Sequence, residues 1–314
     1  MLRYLLRRIG FLILTLILTS VIIFCITQLL PGDVARVILG REASATSLER
    51  LRDELGLRQP LPVRYLTWLG HFVTGDWGTS YSTELPIRPL VIERLGNSLM
   101  LAALILVIAI PLAVTFGVVA GLNQDRPLDN LISIVSLAVV GLPEFVTGAL
   151  LIQVFAFTFP IFPANSSIRP GTGFLAALPM LILPALTATL VLLAYVARLT
   201  RAGVVEELRA TYVRTATLKG LSRWTIITRH VLRNALLPTI TVIAISLGWL
   251  IGGLIVVENV FNYPGLGRLL TFAIDRRDLP LLQAITCITV VGFATANLLA
   301  DLLYAYLNPR IRLN

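Results

Sequence analysis

The stretch "YVRTATLKGLSRWTIITRHVLRNALLP", from Tyr212 to Pro238, carries five basic side chains and one histidine but no acidic residue in 27 residues. Long apolar segments flank it on both sides. Basic residues between apolar segments are typical of loops on the cytoplasmic face of a membrane protein. The number and the orientation of the apolar segments therefore determine what this block can do.

The whole chain has the composition of an integral membrane protein. Of its 314 residues, 56% are hydrophobic and 14% are charged, whereas a soluble domain carries about 25% charged residues. The net charge of +9 is almost entirely due to arginine, because Lys219 is the one lysine in the sequence. The arginines stand mostly at the ends of apolar runs, which indicates a membrane face rather than a nucleic-acid partner.

Apolar windows of the length that crosses a bilayer core, about 20 helical residues, predict an all-α membrane protein with six transmembrane helices. They cover residues 9–30, 97–121, 131–158, 178–198, 237–257 and 282–305. No small-residue cleavage site follows the first window, so we interpret it as an uncleaved anchor. The predicted organisation is a tail with the first span (1–30), an extracytoplasmic helical segment (31–96) and a five-helix core (97–314).

The charges of the loops orient these spans. With the N-terminus in the cytoplasm, the cytoplasmic stretches hold fourteen basic residues against four acidic ones, while segment 31–96 holds eight arginines and eight acids. The positive-inside rule therefore predicts that both termini are cytoplasmic, together with loop 199–236. Pro111, Pro143, Pro179 and Pro184 fall within spans, which is compatible with simple kinks or with a helix bundle that moves.

Segment 31–96 and the loop before the last span contain patterns of short surface helices. Thr46 and Glu49 have capping-box spacing and open a helix that ends at Gly56. "LPVRYLTWLGHFV" (61–73) predicts an amphipathic helix, because its apolar residues recur at helical spacing: Val63, Leu66, Leu69 or Gly70, and Val73. "GDWG" (75–78) predicts the turn that follows it. "LGRLLTFAI" (266–274) predicts a further amphipathic helix. These segments either pack structurally or contact something delivered from outside.

The basic block itself is predicted to form two helices separated at Gly220. The first runs from Ala202 to Lys219, and the second starts at the N-cap Ser222 and ends where Pro238 opens the next span. On the second helix Trp224, Ile227, Val231 and Ala235 share one side, opposite the arginines. Such a helix can lie on anionic lipid, form a solvated face, or dock into a groove of a cytoplasmic partner.

Several motifs within this chain resemble the permease subunits of dipeptide and oligopeptide ABC importers. "YVRTA" (212–216), "KGL" (219–221) and "RH" through Pro238 match the pattern of that family, with Thr211 where the family often has aspartate. The resemblance covers essentially the whole chain, in the order "LLPGD" (29–33), "LGLRQPLPVRYLTWL" (55–69), "GDWGTS" (75–80), "VENVFNYPGLGRLL" (257–270), "RRDLPLLQA" (276–284) and "DLLYAYLNPRIR" (301–312).

The resemblance implies the fold of a type I ABC importer permease and a role for the basic block. In that family the glycine-containing loop sits in a cleft of the ATP-hydrolysing subunit. The residues carried over to this coupling role are Arg214, Thr215, Ala216, Lys219, Gly220 and Leu221. Arg214 stands where many ABC permeases have an acid, and arginine is usual in the peptide branch.

The chain is not expected to be an ATPase or to hold a cofactor. A Walker A loop needs G-x-x-x-x-G-K-[ST], and the surroundings of the single lysine read "TATLKGL". The resemblance implies separate partners: two ABC ATPase subunits that bind ATP and magnesium, a second homologous permease and an extracytoplasmic solute-binding protein. Cys25, Cys287, His71 and His230 show no metal-site spacing, so we expect no metal site.

Polar residues inside spans are the candidates for the translocation path. Glu144 lies in mid-span beside Pro143, and Asn97, Gln153 and Asn297 are further candidates. Each of them is equally compatible with a hydrogen bond between helices. Asp301 is expected to pair with Arg198 or Arg310, and no residue has a catalytic pattern.

The predicted function is therefore ATP-driven import of dipeptides or oligopeptides. The same machinery importing nickel chelates, glutathione or glycosides is the near alternative, because related permeases carry very similar motifs. A secondary transporter would show inverted repeats and coupling-ion sites, which the sequence lacks. A membrane scaffold without transport is the remaining class.

Overall fold

A computed structural model of the chain describes residues 2–29, 44–54, 59–169 and 171–307. Within these ranges the protein is almost entirely helical, and a single isolated β-bridge joins Thr79 and Pro86. The prediction of an all-α protein is confirmed. Residues 30–33 of the motif at 29–33 lie outside the described residues, as do the arginines at 310 and 312.

The helices are numbered here in chain order. They are α1 (Leu2–Leu29), α2 (Ala45–Glu54), α3 (Leu61–Thr74), α4 (Ile87–Leu122), α5 (Pro127–Gly141), α6 (Glu144–Ile152), α7 (Phe174–Leu208), α8 (Thr211–Leu218), α9 (Arg223–Thr225, Ile226–Val231 and Leu232–Gly253 in succession), α10 (Ile255–Val260), α11 (Leu266–Asp275) and α12 (Leu279–Leu307). The middle piece of α9 is a π-helical turn, and a second π-helical turn, Gln153–Thr158, follows α6.

Five of the described helices, α1, α4, α7, α9 and α12, are long and apolar enough to cross a membrane. The pair α5 and α6 qualifies as a sixth span when counted together, but its two halves are bent by 104°. The predicted span 131–158 is thus broken at Leu142, which is extended (ψ 132°). The reason is Pro143, because a proline disfavours the helical conformation of the residue before it.

The chain divides into two compact units. The first comprises residues 1–98 and 264–295, and its core is formed by the start of α4 together with α11 and α12. Helix α4 begins at Ile87, ten residues before the predicted start of the span at 97, because Ile87 and Val91 are fully buried in this core. The other buried members are Leu266, Leu269, Ala273, Leu281, Ala284 and Ile285.

Helix α2 begins two residues earlier than predicted. The N-cap is Ser44 and not Thr46, because the Ser44 Oγ accepts a hydrogen bond from the Ser47 backbone N–H at 3.2 Å. The predicted end of this helix at Gly56 lies outside the described residues.

Helix α3 follows the predicted range but uses a different face. Val63, Leu66 and Val73 of the predicted apolar stripe are exposed in this chain. The packed side is aromatic instead, because its rings form a ladder with neighbouring aromatic residues, in the order Phe24, Tyr65, Trp68, Phe72 and Trp77. The predicted turn after α3 is confirmed, since Gly75 is left-handed (φ 87°) and caps the helix.

The second unit comprises residues 99–263 and 296–314, and α7 runs through its centre. Of the apolar window of α7, 61% is buried. Glycines let neighbouring backbones approach this helix closely. A Cβ on Gly117 of α4 would lie 2.6 Å from the Ala197 carbonyl oxygen, and one on Gly203 of α7 would lie 2.5 Å from the Ala235 carbonyl oxygen in α9. Small residues make such close packing of membrane helices possible.

Candidate functional site

Helix α8 lies between the ends of two long helices of the second unit. Two residues, 209–210, connect it to α7 and four residues, 219–222, connect it to α9. The prediction of one helix from Ala202 to Lys219 is therefore wrong. The chain breaks where Ala210 becomes extended (ψ 144°), which turns α8 so that its Ala216 reaches a buried apolar cluster.

The turn after α8 forms at the predicted glycine. Gly220 adopts φ +78°, a left-handed conformation that L-residues rarely populate. Its backbone N–H donates to the Thr217 carbonyl at 3.0 Å, and the Leu221 N–H donates to the Ala216 carbonyl at 3.3 Å. The predicted N-cap is also confirmed, because the Ser222 Oγ accepts from the Thr225 N–H at 3.2 Å.

A buried apolar cluster fixes α8 to the long helices. Ala216 of α8 packs with Val204 of α7 and with Val231 and Ala235 of α9, all of them buried. Ile226 completes the buried set, and Val118, Leu122, Leu208, Val213 and Leu232 pack against it. Since closely packed interiors transmit displacements, α8 is expected to move together with α7 and α9.

A hydrogen-bonded tyrosine reinforces this attachment. The Tyr212 hydroxyl donates to the Glu207 carboxylate near the end of α7 and accepts from the Asn234 side-chain amide of α9 at 3.4 Å. Burial and the hydrogen bond to Glu207 raise the pKa of Tyr212 above its ordinary value. The hydroxyl therefore stays protonated, and able to donate, throughout the physiological pH range.

An ion pair joins α5 to α7. The Arg201 guanidinium donates to both oxygens of the Asp129 carboxylate, at 2.5 and 2.7 Å. Asp129 is 1% exposed, whereas the Arg201 side chain is 30% exposed. The bidentate geometry fixes the relative orientation of the two helices.

Replacing Asp129 with asparagine is expected to destabilise the second unit by about 2 kcal/mol. Breaking a fully buried ion pair costs about 3–5 kcal/mol, and Arg201 is partly exposed. The measurement is the apparent midpoint of thermal unfolding of the purified complex. The control is Asp125→Asn, because Asp125 is exposed and its left-handed backbone (φ 61°) suits asparagine. Equal midpoints for the two variants would contradict a structural role of the pair.

Large apolar side chains are exposed around the turn between α8 and α9. Leu218 is 81% exposed and Trp224 is 75% exposed, and Leu221 between them is also exposed. Trp224, which the prediction places on the same side as Ile227 and Val231, is exposed, whereas those two residues are buried. The π-helical turn Ile226–Val231 changes the number of residues per turn, so a count at 100° per residue fails across it.

All six residues carried over from the coupling motif lie in this region. Ala216 faces the buried cluster, while the other five, Arg214, Thr215, Lys219, Gly220 and Leu221, are exposed. Leu218 is a functional candidate that sequence reasoning missed, and the exposure of Trp224 was not predicted. Their signal is three large apolar side chains at intervals of three, Leu218, Leu221 and Trp224, in a segment outside the apolar windows.

The translocation-path candidates occupy different settings. Glu144 is half-buried at the first position of α6, directly after the bend, and no hydrogen bond of its side chain is found within the described ranges. Gln153 is exposed at the start of the π-helical turn, and Asn297 is half-buried in α12. Their role stays a prediction.

Asn97 and Ser98, in the first unit, fix a turn. The Asn97 amide donates to the Pro264 carbonyl at 2.8 Å, and the Ser98 Oγ accepts from the Leu266 N–H at 2.8 Å. This geometry supports the structural alternative for Asn97. In the second unit the expected pair of Asp301 with Arg198 does not form, because the described side chain of Arg198 makes no ion pair.

A buried carboxylate connects two motifs in the first unit. Asp278, from "RRDLP", accepts from the Ser80 hydroxyl at 2.6 Å and from the Ser82 backbone N–H at 3.0 Å. Its other oxygen accepts from the Leu281 N–H at 3.3 Å and caps α12. This carboxylate therefore ties the segment before α4 to the loop before the last span.

Comparison with known proteins gives consistent matches along the whole chain. The model of the family "Binding-protein-dependent transport system inner membrane component" matches residues 113–313. The model "Binding-prot-dependent transport system membrane comp, N-term" matches residues 1–102.

Individual relatives match over nearly their full length. The "Probable peptide ABC transporter permease protein y4tP" of Sinorhizobium fredii is 36% identical over 98% of this chain and 99% of the relative. The "Glutathione transport system permease protein GsiC" is 37% identical in Salmonella typhimurium and 38% identical in Escherichia coli K12, each over 99% of both chains.

Proposed function

Since this chain belongs to the binding-protein-dependent transport system inner membrane components and is a permease subunit of an ABC importer, we propose that it translocates dipeptides or oligopeptides. Its cargo is delivered by a solute-binding protein, and the energy comes from ATP hydrolysed on separate subunits. The observation that carries the mechanism is a set of exposed apolar side chains where α8 meets α9, namely Leu218 at the end of α8, Leu221 in the turn and Trp224 in the first turn of α9. This region is anchored to two spans by the buried cluster.

We propose that this face docks into the ATPase subunit. Large exposed apolar residues outside the lipid mark interaction sites, and aromatic residues are frequent anchors of protein interfaces. Of the three uses open for the basic block, docking is therefore favoured. Arg214 and Lys219, which are exposed on α8 and just after it, are proposed to form the polar rim of the interface.

The anchoring of α8 supports a mechanism for coupling. Closure of the ATPase pair displaces α8, and the displacement passes to α7 and α9 through the buried cluster. The close backbone contact of Gly203 with Ala235 packs α7 tightly against α9, so the two helices are expected to move together. The paired spans then open the path towards the outside, and ATP hydrolysis resets them.

The proposed orientation places both termini and α8 in the cytoplasm. It is supported by the excess of fourteen basic over four acidic residues on that side. Segment 31–96 and the loop before α12 are then proposed to face the binding protein, and Asp278 joins residues 80–82 of that segment to this loop. In a chain whose Cys25 and Cys287 are replaced, single cysteines at Val73 and Arg126, both exposed, test this orientation. A membrane-impermeant reagent added to intact cells should label the cysteine at Val73 and not the one at Arg126, and the opposite pattern would contradict the orientation.

We expect the purified chain alone to hydrolyse ATP at background rate, because its single lysine lacks the glycine-rich loop that holds phosphates. The chain is proposed to need no cofactor of its own, with ATP and magnesium bound by its partners. A malachite-green phosphate assay compares the chain alone with the complex that contains both ATPase subunits and a second homologous permease. Turnover by the isolated chain comparable with that of the complex would contradict this division of labour.

The cargo is tested on the binding protein that co-purifies with the complex. Mass spectrometry of its bound ligands and uptake of radiolabelled peptides by proteoliposomes identify what is carried. Glutathione is the second candidate, because relatives with 37–38% identity are named as glutathione transport permeases. Uptake of glutathione without uptake of other peptides would select that candidate.

A further inference from the structure

A groove of about 590 Å³ lies on the second unit between α5 and α7. Tyr195, Arg198, Leu199 and Ala202 line it from α7, at the i, i+3, i+4 and i+7 spacing that places residues on one helix face. Its remaining wall comprises Arg201 of α7 with Ser133 and Leu137 of α5. The volume lies within the range of about 300–1,000 Å³ that is typical of sites for small ligands.

Among the residues that the structure describes, one positive charge of the groove has no acidic partner. The Asp129 carboxylate neutralises Arg201. Arg198 is exposed, and its guanidinium has no ion pair or hydrogen bond within the part of the chain that the structure describes. The Tyr195 hydroxyl, one turn away, likewise has no described partner. Two donors at i and i+3, neither with a partner among the described residues, therefore line the same groove of α7 and suit an anion.

The position of the groove and its apolar walls indicate which kind of anion would fit it. Tyr195 and Arg198 lie near the end of the apolar part of α7, where arginine and tyrosine side chains reach the level of the lipid headgroups. Leu137 is exposed in this chain and continues the groove along the apolar face of α5. A ligand that fills it thus needs an anionic head and an apolar tail.

We propose that this groove binds an anionic phospholipid of the cytoplasmic leaflet. The phosphodiester accepts hydrogen bonds from the planar Arg198 guanidinium, whose fork matches phosphate oxygens, and from the Tyr195 hydroxyl. An acyl chain packs along Leu137 and Leu199. Basic pockets between transmembrane helices on the cytoplasmic side are suited to such headgroups. The leaflet assignment rests on the proposed orientation.

The test measures lipid binding to the intact importer complex by native mass spectrometry. The complex is delipidated in detergent and titrated with dioctanoyl-phosphatidylglycerol, with dioctanoyl-phosphatidylcholine or with inorganic phosphate. The variant is Arg198→Gln. The matched control is Arg126→Gln, because Arg126 is an exposed arginine at the start of α5 that does not line the groove.

We expect the wild type and Arg126→Gln to bind phosphatidylglycerol about tenfold more tightly than phosphatidylcholine, and Arg198→Gln to lose this preference. Tyr195→Phe should lose part of it. Equal preference in Arg198→Gln and in the control would overturn the proposal. Binding of inorganic phosphate that displaces the lipid would assign a site for soluble anions instead.

Phosphatidylglycerol that binds the isolated chain but not the complex would show that a helix of the second permease occupies the groove, which also overturns the proposal. The readout is lipid binding in detergent and involves neither cargo nor ATP. A failure of the proposed transport function therefore leaves this result unaffected. A failure to bind the lipid likewise leaves the transport proposal unaffected.

Discussion

Replacing Gly220 with proline is expected to abolish transport while the protein still inserts into the membrane. Gly220 adopts φ +78°, and its N–H donates to the Thr217 carbonyl at 3.0 Å. Proline fixes φ near −65° and has no N–H, so the turn between α8 and α9 cannot form. Strain of about 3 kcal/mol or more reduces the population with α8 in place by more than about a hundredfold.

The matched control is Gly220→Asn. A Cβ at this position meets no atom within 4 Å, and asparagine adopts the left-handed conformation more readily than other L-residues. Uptake by proteoliposomes and cargo-stimulated ATP hydrolysis of the complex should therefore stay near wild type for Gly220→Asn and vanish for Gly220→Pro. Normal uptake by the proline variant would refute the coupling role of this turn.

The sequence predicts those features that depend on local chemistry. The lengths of the apolar runs give the spans, because a bilayer of fixed thickness requires them. The left-handed Gly220 and the N-cap Ser222 follow from backbone preferences that hold in nearly any context. These two residues define where α8 ends and α9 begins, whereas the break at Ala210, where α8 begins, is not predicted.

Features set by tertiary packing are not predicted. Helix α4 starts at Ile87, outside its apolar window, because the core with α11 and α12 buries that residue. The face of α9 is misassigned at Trp224, since no pattern in the sequence signals the π-helical turn that follows it. Asn97 was a candidate for the path on polarity alone, and the acceptor of its amide, the Pro264 carbonyl, is 167 residues away.

Some of the packing nevertheless leaves a trace in the sequence. Gly117 and Gly121 form a G-x-x-x-G spacing in α4, and a Cβ on either would clash with α7. This spacing is a known signal for closely packed membrane helices. It marks α4 as a helix with a close neighbour without saying which helix that is. The contact of Gly203 with the backbone of Ala235 has no such motif on either side.

Replacing Leu218 with aspartate is expected to detach the ATPase subunit while leaving the permease folded. Leu218 is 81% exposed, so the substitution removes no buried contact within this chain. In a docked complex the leucine side chain contributes about 1.5–3 kcal/mol by burial, and a carboxylate in an apolar cleft adds a desolvation cost. Association should weaken by more than about thirtyfold, and the double variant with Trp224→Ala should lose it completely.

The measurement is the stoichiometry of ATPase subunit to permease after affinity purification, together with the thermal midpoint of the isolated permease. Leu218→Met keeps an apolar side chain of similar size and should retain the subunit. Since Leu218→Asp leaves the Gly220 turn intact, it changes the chemistry of the face, whereas Gly220→Pro changes its position. Full retention of the ATPase subunit by the aspartate variant would show that this face does not contact it, even if the proline variant is inactive.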